Sequence, residues 1–143
     1  MLESINLQSN VAVFAQIENE VRFAVAAGAL KPGDKLPTVR AVADKLNINP
    51  NTVAKAYRDL EIMGLVFTRR GMGVFIRDGI EDSCRADCRR ELVEKMHEVV
   101  AEAKAAGMAE ADIMNIARKC YASKASPYQK PPASVLSAAR PKK

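Results

Sequence analysis

The sequence predicts a mostly α-helical chain that contains one small β-hairpin. Apolar residues recur at spacings of three and four over most of the chain, which is the helical period. Residues 65–77 instead form two β-rich runs separated by a glycine-containing segment. The 143 residues suffice for a domain of about 75 residues and a helical appendage, but not for an added sensing domain of about 150 residues.

Three helices are predicted in the first half of the chain. The first covers residues 13–27, where the apolar side chains form one stripe. The second follows Thr38, whose hydroxyl suits an N-cap, and the third follows Asn49, a second N-cap residue. Pro50 occupies the first position of the third helix and Gly64 ends it. Two short helices joined by a tight turn follow the helix-turn-helix plan.

A β-hairpin is predicted directly after the third helix. Its strands are Val66–Arg69 and Val74–Arg77, and glycines between them allow a tight turn. The tip is narrow and basic. Three helices followed by such a hairpin predict a winged helix-turn-helix.

Two more helices are predicted, over residues 81–106 and 109–122, and they need a partner surface because two isolated helices cannot bury their apolar faces. A flexible tail is predicted after them, since it holds four prolines and only basic charges. The predicted parts are a DNA-binding domain, a two-helix dimerisation module and a basic tail, at residues 1–78, 79–122 and 123–143.

The distribution of charge favours DNA as the partner of the first part. Residues 40–77 carry seven Lys/Arg against three Asp/Glu, whereas residues 81–112 carry five against nine. A basic region beside a helix that fits the major groove is typical of a nucleic-acid-binding domain. The side chains predicted to face the DNA from the third helix and the hairpin tip are Asn51, Thr52, Lys55, Arg58, Arg69 and Arg70.

Two runs of the sequence resemble the GntR family of bacterial transcription regulators. Gly28–Arg40, GALKPGDKLPTVR, is similar to the opening signature of the family. Asn49–Glu61, followed by Gly64-Leu65, resembles the recognition helix of the YtrA subfamily, whose short C-terminal part of two helices serves mainly for dimerisation. The resemblance covers residues 8–78 by motif and residues 79–122 by length and pattern.

The resemblance implies a repressor that binds an operator, and it implies roles for single residues. Arg40 matches the arginine that contacts DNA in the family, and Gly71 or Gly73 matches the glycine of the wing. Pro50 and Ala54 stand where better-studied branches carry arginine, so the guanine contacts of those branches do not transfer. The complete set of predicted DNA-binding residues is Thr38, Arg40, Asn49, Asn51, Thr52, Lys55, Arg58, Arg69, Arg70, Gly71 and Gly73.

A homodimer is expected, because a two-fold dimer presents two recognition helices to a palindromic site. The predicted dimer interface lies along the helix over residues 81–106 and consists of Cys88, Leu92, Met96 and Val99. An unknown small-molecule effector is also possible, although two short helices leave little volume for a pocket. Such a ligand would be expected at the dimer interface or between the domains.

Other functions stay open at this point. The winged helix could be a protein-interaction module, although such a surface would be expected to show apolar anchors in place of Asn51, Thr52 and Lys55. Cys84, Cys88 and Cys120 could make the protein a redox-responsive or metal-responsive regulator. We expect that the protein is not an enzyme and that it has no cofactor and no metal site. The single histidine and the scattered acidic residues form no catalytic pattern.

The expected location is the cytoplasm. The three cysteines are an odd number, and the first twenty residues lack the pattern of a signal peptide. No apolar stretch approaches the roughly 18 residues that span a bilayer. We therefore expect a soluble protein that does not associate with a membrane.

Overall fold

The computed structural model describes residues 2–138, so the last five residues of the predicted basic tail, 139–143, lie outside the described residues. Within residues 2–138 the chain forms six helices and one two-stranded sheet. In chain order these are α1 (Val13–Ala26), α2 (Val39–Leu46), α3 (Pro50–Ile62), β1 (Val66–Arg69), β2 (Gly73–Ile76), α4 (Glu81–Ala105), α5 (Glu110–Ala122) and α6 (Ala133–Ala138).

The predicted fold class, mostly α with a small hairpin, is confirmed. Helices α1 to α5 and both strands lie within about two residues of the predicted bounds, which is the ordinary uncertainty of a helix end. Helix α6 was not predicted. None of the helices between residues 2 and 138 is both long enough and apolar enough to cross a membrane.

The ends of α2 and α3 are fixed by the side chains that the sequence suggested. Thr38 Oγ1 accepts a hydrogen bond from the backbone N–H of Ala41 at 3.1 Å. Asn49 Oδ1 accepts one from the N–H of Asn51 at 2.8 Å, and Pro50 follows at the first helical position. Between the two helices Asn47 adopts a left-handed conformation with φ 53°, which asparagine tolerates better than most residues. These local bonds set the tight turn between α2 and α3.

The core forms where α3 packs on α1 and α2. Val53, Ala56 and Leu60 of α3 are fully buried, as are Ile17 and Val21 of α1. These positions lie three or four residues apart, so each helix presents one apolar face to the other. The opposite face of α3 is left to solvent.

The hairpin is attached to the segment that precedes α2. Strands β1 and β2 pair antiparallel, with Val66 opposite Ile76. The N–H of Leu36 donates to the carbonyl oxygen of Val74 at 2.8 Å, and the N–H of Ile76 donates to that of Asp34 at 2.9 Å. The edge of β2 is therefore paired with residues 34–36, which holds the hairpin against the helical core.

A buried glutamine connects the N-terminal segment to α1, and no sequence pattern predicted it. Gln16 is fully buried, and its amide nitrogen donates to the carbonyl oxygens of Asn6 and Val11 at 2.9 and 2.8 Å. Its Oε1 accepts from the N–H of Asn6 at 2.8 Å. The side chain satisfies three backbone groups, which explains why a polar residue is found in the core.

The chain divides into two compact units, and the division falls inside α4, between Arg89 and Arg90. The first unit holds α1 to α3, the hairpin and the start of α4. The second unit holds the rest of α4 together with α5 and α6. The predicted boundaries after residues 78 and 122, and the flexibility of the tail, stay predictions.

Removing the hydroxyl of Tyr57 tests how α3 is held to the loop before α2. This hydroxyl donates to the carbonyl oxygen of Pro37 at 2.6 Å, and burial raises the pKa of Tyr57 to about 12. We expect Tyr57→Phe to lower the free energy of unfolding by about 1 kcal/mol, measured by urea denaturation, because one partly buried hydrogen bond is lost. Tyr121→Phe is the matched control, since Tyr121 is 95% exposed. Equal stabilities of the two variants would contradict this role of the bond.

Candidate nucleic-acid interface

The outward face of α3 is polar and begins at the N-terminus of the helix. Asn51, Lys55 and Arg58 are exposed, and Thr52 is half-buried. Their exposure follows from the helical period, because Val53 and the other core positions of α3 point towards α1. Amide, hydroxyl and ammonium groups on one face of a groove-sized helix can bond base edges and phosphates.

The start of α2 lies beside α3 because Tyr57 of α3 bonds the backbone of Pro37. Arg40 lies in the first turn of α2 and is exposed. Thr38 and Asn49 are exposed as well, but their side-chain oxygens are occupied as helix caps. These two residues thus shape the helix N-termini, where backbone N–H groups favour an anion.

The hairpin tip is basic and exposed. Arg69 and Arg70 are both exposed, and the guanidinium of Arg69 lies 5.7 Å from the centre of the Phe67 ring. Gly71 and Gly73 adopt φ angles of 78° and 124°, which residues with a side chain rarely adopt. The glycines allow the tight turn that carries the two arginines.

Lys55 is engaged on the surface of the first unit. Its Nζ lies 2.9 Å from Asp59 Oδ2, one turn along α3, and 4.4 Å from the centre of the Phe14 ring of α1. An exposed ion pair of this kind stabilises by at most about 1 kcal/mol, so it orients the ammonium without withholding it from a phosphate.

A second carboxyl group lies behind Lys55, and sequence reasoning missed it. Glu18 of α1 is half-buried, and burial followed by the neighbouring Asp59 raises the pKa of Glu18 to about 7. Hydrogen bonding to Glu18, and then to Lys55, lowers the pKa of Asp59. The two acids are 41 positions apart and share no local pattern, so their contact becomes visible only when α1 packs on α3.

The three cysteines are found in two environments. Cys84 and Cys88 are buried in the first unit, where the Cys84 thiol donates to the carbonyl oxygen of Arg22 at 3.4 Å. Burial, and then the neighbouring Cys88, raises the pKa of Cys84 to about 11. Cys120 is exposed in the second unit. Across residues 2–138 no group of His, Cys, Asp and Glu side chains is arranged to hold a metal ion.

The residues of the predicted dimer interface fall into two environments. Cys88 is part of the core of the first unit. Leu92, Met96 and Val99 are 44%, 63% and 63% exposed and line an apolar groove of about 400 Å³ between α4 and α5 in the second unit. The groove is also lined by Val100, Ala103, Met108, Ile113, Ile116, Ala117 and Cys120, with Lys95 at its side.

Comparison with known proteins places this geometry in a family. Residues 14–76, from α1 to the end of the hairpin, match the family described as bacterial regulatory proteins, gntR family. The HTH-type transcriptional repressor YtrA of Bacillus subtilis (strain 168) is 34% identical over 104 residues, which are 73% of this chain and 80% of that protein.

Two solved structures share the fold. A protein from Listeria monocytogenes EGD-e, described as a transcriptional antiterminator, has a TM-score of 0.66 at 28% identity and covers 86% of this chain and 91% of its own. YtrA from Sulfolobus acidocaldarius, described as a GntR-family transcription factor, has a TM-score of 0.50 at 31% identity and covers 65% and 99%. The predicted winged helix-turn-helix is confirmed.

Thiol labelling tests the conclusion that the buried cysteines are unreactive. A thiol whose pKa is near 11 is almost entirely protonated at neutral pH, and the thiolate is the reactive form. We therefore expect an aromatic disulfide reagent to leave Cys84 unmodified in the folded protein. Cys88 is expected to stay unmodified because it is buried, and both are expected to react after unfolding. The experiment uses Cys120→Ser, so that only these two thiols are counted. Rapid modification in the folded state would restore the redox alternative.

Proposed function

The chain belongs to the GntR family of bacterial regulatory proteins, as a DNA-binding transcriptional regulator of its YtrA subfamily, and from this we propose that it is a repressor acting as a homodimer on a palindromic operator. This family consists of regulators and not of enzymes. The proposed place of action is the cytoplasm. The observation that carries the proposal is the polar face of α3 beside the basic hairpin tip, on a core that leaves both exposed.

Sequence is read from the first two turns of α3 in this proposal. Asn51 and Thr52 bond base edges, since amides suit adenine and hydroxyls suit several bases. Lys55 bonds guanine or phosphate, and Arg40 bonds the backbone next to the N-termini of α2 and α3. Arg40, Asn51 and Lys55 are exposed and Thr52 is half-buried on the same outward face, which supports the assignment, because no rearrangement of the core is needed to reach a groove.

The hairpin acts as the wing. Arg69 and Arg70 contact the adjacent phosphate backbone or minor groove, where a narrow cationic tip fits. Gly71 and Gly73 serve this contact through the turn that they allow. Contacts to phosphates position the protein and make binding depend on salt, whereas the contacts of α3 supply the sequence preference.

The homodimer is supported by the apolar side chains of the second unit. Leu92, Met96 and Val99 follow spacings of four and three on α4 and are largely exposed in the single chain. An apolar groove that stays open to water is unfavourable, and a second copy of the same surface would cover it. Two copies also double the contacts to a palindromic site.

Repression is the finer part of the proposal. The B. subtilis relative is described as a repressor, and the chain spans 80% of that protein. A dimer that occupies a promoter blocks transcription without any further activity. The apolar groove, at about 400 Å³, falls within the range of small-molecule sites. An apolar effector that competes with the dimer for this groove is therefore the second candidate.

A protein-interaction module is the weaker alternative. The exposed N-terminal half of α3 presents the amide of Asn51, the hydroxyl of Thr52 and the ammonium of Lys55. Protein interfaces obtain most of their binding energy from buried aromatic or arginine anchors in pockets. The chemistry of this face suits base edges and phosphates better than the apolar surface of a second protein.

Substitution of two predicted contact residues tests the DNA proposal. We expect Arg40→Ala and Lys55→Ala each to weaken binding to selected promoter fragments by about tenfold or more, because each loses a charged contact. Binding is measured by titration of fluorescent fragments at one fixed salt concentration. The matched controls are Arg118→Ala and Lys104→Ala, both exposed in the second unit. A similar loss in contact and control variants would mean that only overall charge matters.

A charge in the apolar groove tests the homodimer. We expect Leu92→Asp to convert a dimer into a monomer in sedimentation velocity, because an uncompensated carboxylate would be buried in the interface. Ala101→Asp is the control, since Ala101 is exposed on α4 and does not line the groove. Sedimentation of Leu92→Asp as a dimer would contradict the interface, and dissociation of both variants would point to charge alone.

A further inference from the structure

Two carboxyl groups meet behind the face of α3 that is proposed to contact DNA. Glu18 of α1 and Asp59 of α3 lie against each other, and Glu18 Oε1 is buried with no hydrogen-bond donor among the described residues. Two carboxylates are both acceptors, so they form a hydrogen bond only when one of them carries a proton. The two carboxyl groups can therefore form a hydrogen bond when Glu18 is protonated and donates to Asp59.

The pair is connected directly to Lys55. Asp59 Oδ2 lies 2.9 Å from Lys55 Nζ, and Phe14 lies beneath the same ammonium at 4.4 Å. The other charged groups that act on the pair are Arg22 of α1, near Glu18, and Arg58 of α3, near Asp59. With one proton on the pair, a single negative charge faces Lys55. Without the proton, a second negative charge faces the surface that binds DNA.

We propose that Glu18 is a positioning residue that couples DNA binding to the uptake of one proton by the Glu18–Asp59 pair, so that affinity for DNA falls as the pH rises. The proposal rests on the proposed contact of Lys55 with DNA. Protonated Glu18 holds Asp59 by a hydrogen bond and leaves Lys55 available to a phosphate or base. Ionised Glu18 adds a charge that attracts Lys55 towards the protein and repels the phosphates.

The direction of the effect follows from linkage. The pKa of Glu18 is raised to about 7, and phosphates brought close to the pair raise it further, so the DNA complex binds more protons than the free protein. Affinity is therefore highest when Glu18 is protonated and decreases as the pH passes through neutrality. The same raised pKa also affects folding. The folded chain binds more protons than the unfolded chain between about pH 4.5 and about pH 7, so stability declines as the pH rises through this range and levels off above it.

The experiment compares the wild-type protein with Glu18→Gln, which keeps the shape and stays neutral. The probe is a promoter fragment selected with the wild-type protein, titrated at constant ionic strength. Between about pH 6 and about pH 8 we expect the wild-type affinity to fall roughly threefold to tenfold per half-site. Glu18→Gln is expected to keep the affinity that the wild type has at low pH across the whole range. Asp59→Asn, which removes the second acid, is also expected to flatten the profile.

The control for other titrating groups is His97→Gln. His97 is the single histidine of the chain, and histidine is the side-chain type that most often titrates near neutral pH. This variant is expected to retain the full pH dependence of the wild type. If the affinities of the wild type and Glu18→Gln change in parallel with pH, the coupling is overturned.

Thermal unfolding without DNA separates the failure of this proposal from the failure of the proposed function. Glu18→Gln is expected to match the wild type in Tm at about pH 4 and to exceed it at about pH 8. The unfolded wild type ionises Glu18 from about pH 4.5, whereas the folded chain keeps this half-buried carboxyl protonated until about pH 7. If no fragment binds any variant, the DNA contacts and the coupling both fail. Equal Tm values at both pH values would show that the acids do not share a proton.

Discussion

The packing of α3 on α1 is the constraint on which the rest of the first unit depends. Val53, Ala56 and Leu60 of α3 are fully buried, and Ile17 and Val21 of α1 meet them. Because this face of α3 is buried in the core, the helical period determines which of its side chains face outward. The polar outward face is thus a consequence of the core, and a change of register would turn apolar residues towards DNA.

Three further contacts hold the neighbouring elements in place relative to α3. Tyr57 holds the backbone at Pro37 and so fixes the start of α2 beside α3. Glu61, near the end of α3, accepts a hydrogen bond from the N–H of Thr68 in β1 at 3.2 Å. Residues 34–36 pair with β2 from the other side. A small domain with a limited core thereby presents α2, α3 and the hairpin in one fixed arrangement.

The sequence predicted the elements whose signals are local. Thr38, Asn49 and Pro50 mark helix starts, and the glycines mark turns, so the five helices and the hairpin could be predicted closely. Features that depend on contacts between residues distant in the sequence could not be predicted. The burial of Gln16 and the contact of Glu18 with Asp59 arise only when segments far apart are brought together. The core position of Cys88 has the same origin, because an apolar stripe does not tell which surface covers it.

Symmetry would enlarge the effect of the carboxyl pair. A homodimer on a palindromic site places one Glu18 behind each recognition helix, so two protons are taken up for each complex formed. The free energies of the two half-sites add, and the fold-changes in affinity therefore multiply. A modest dependence at one half-site becomes a steep one for the operator. In this proposal the dimer interface does not take part in the titration of Glu18. It nevertheless determines how steeply operator binding depends on pH, because it brings two copies of the carboxyl pair to one site.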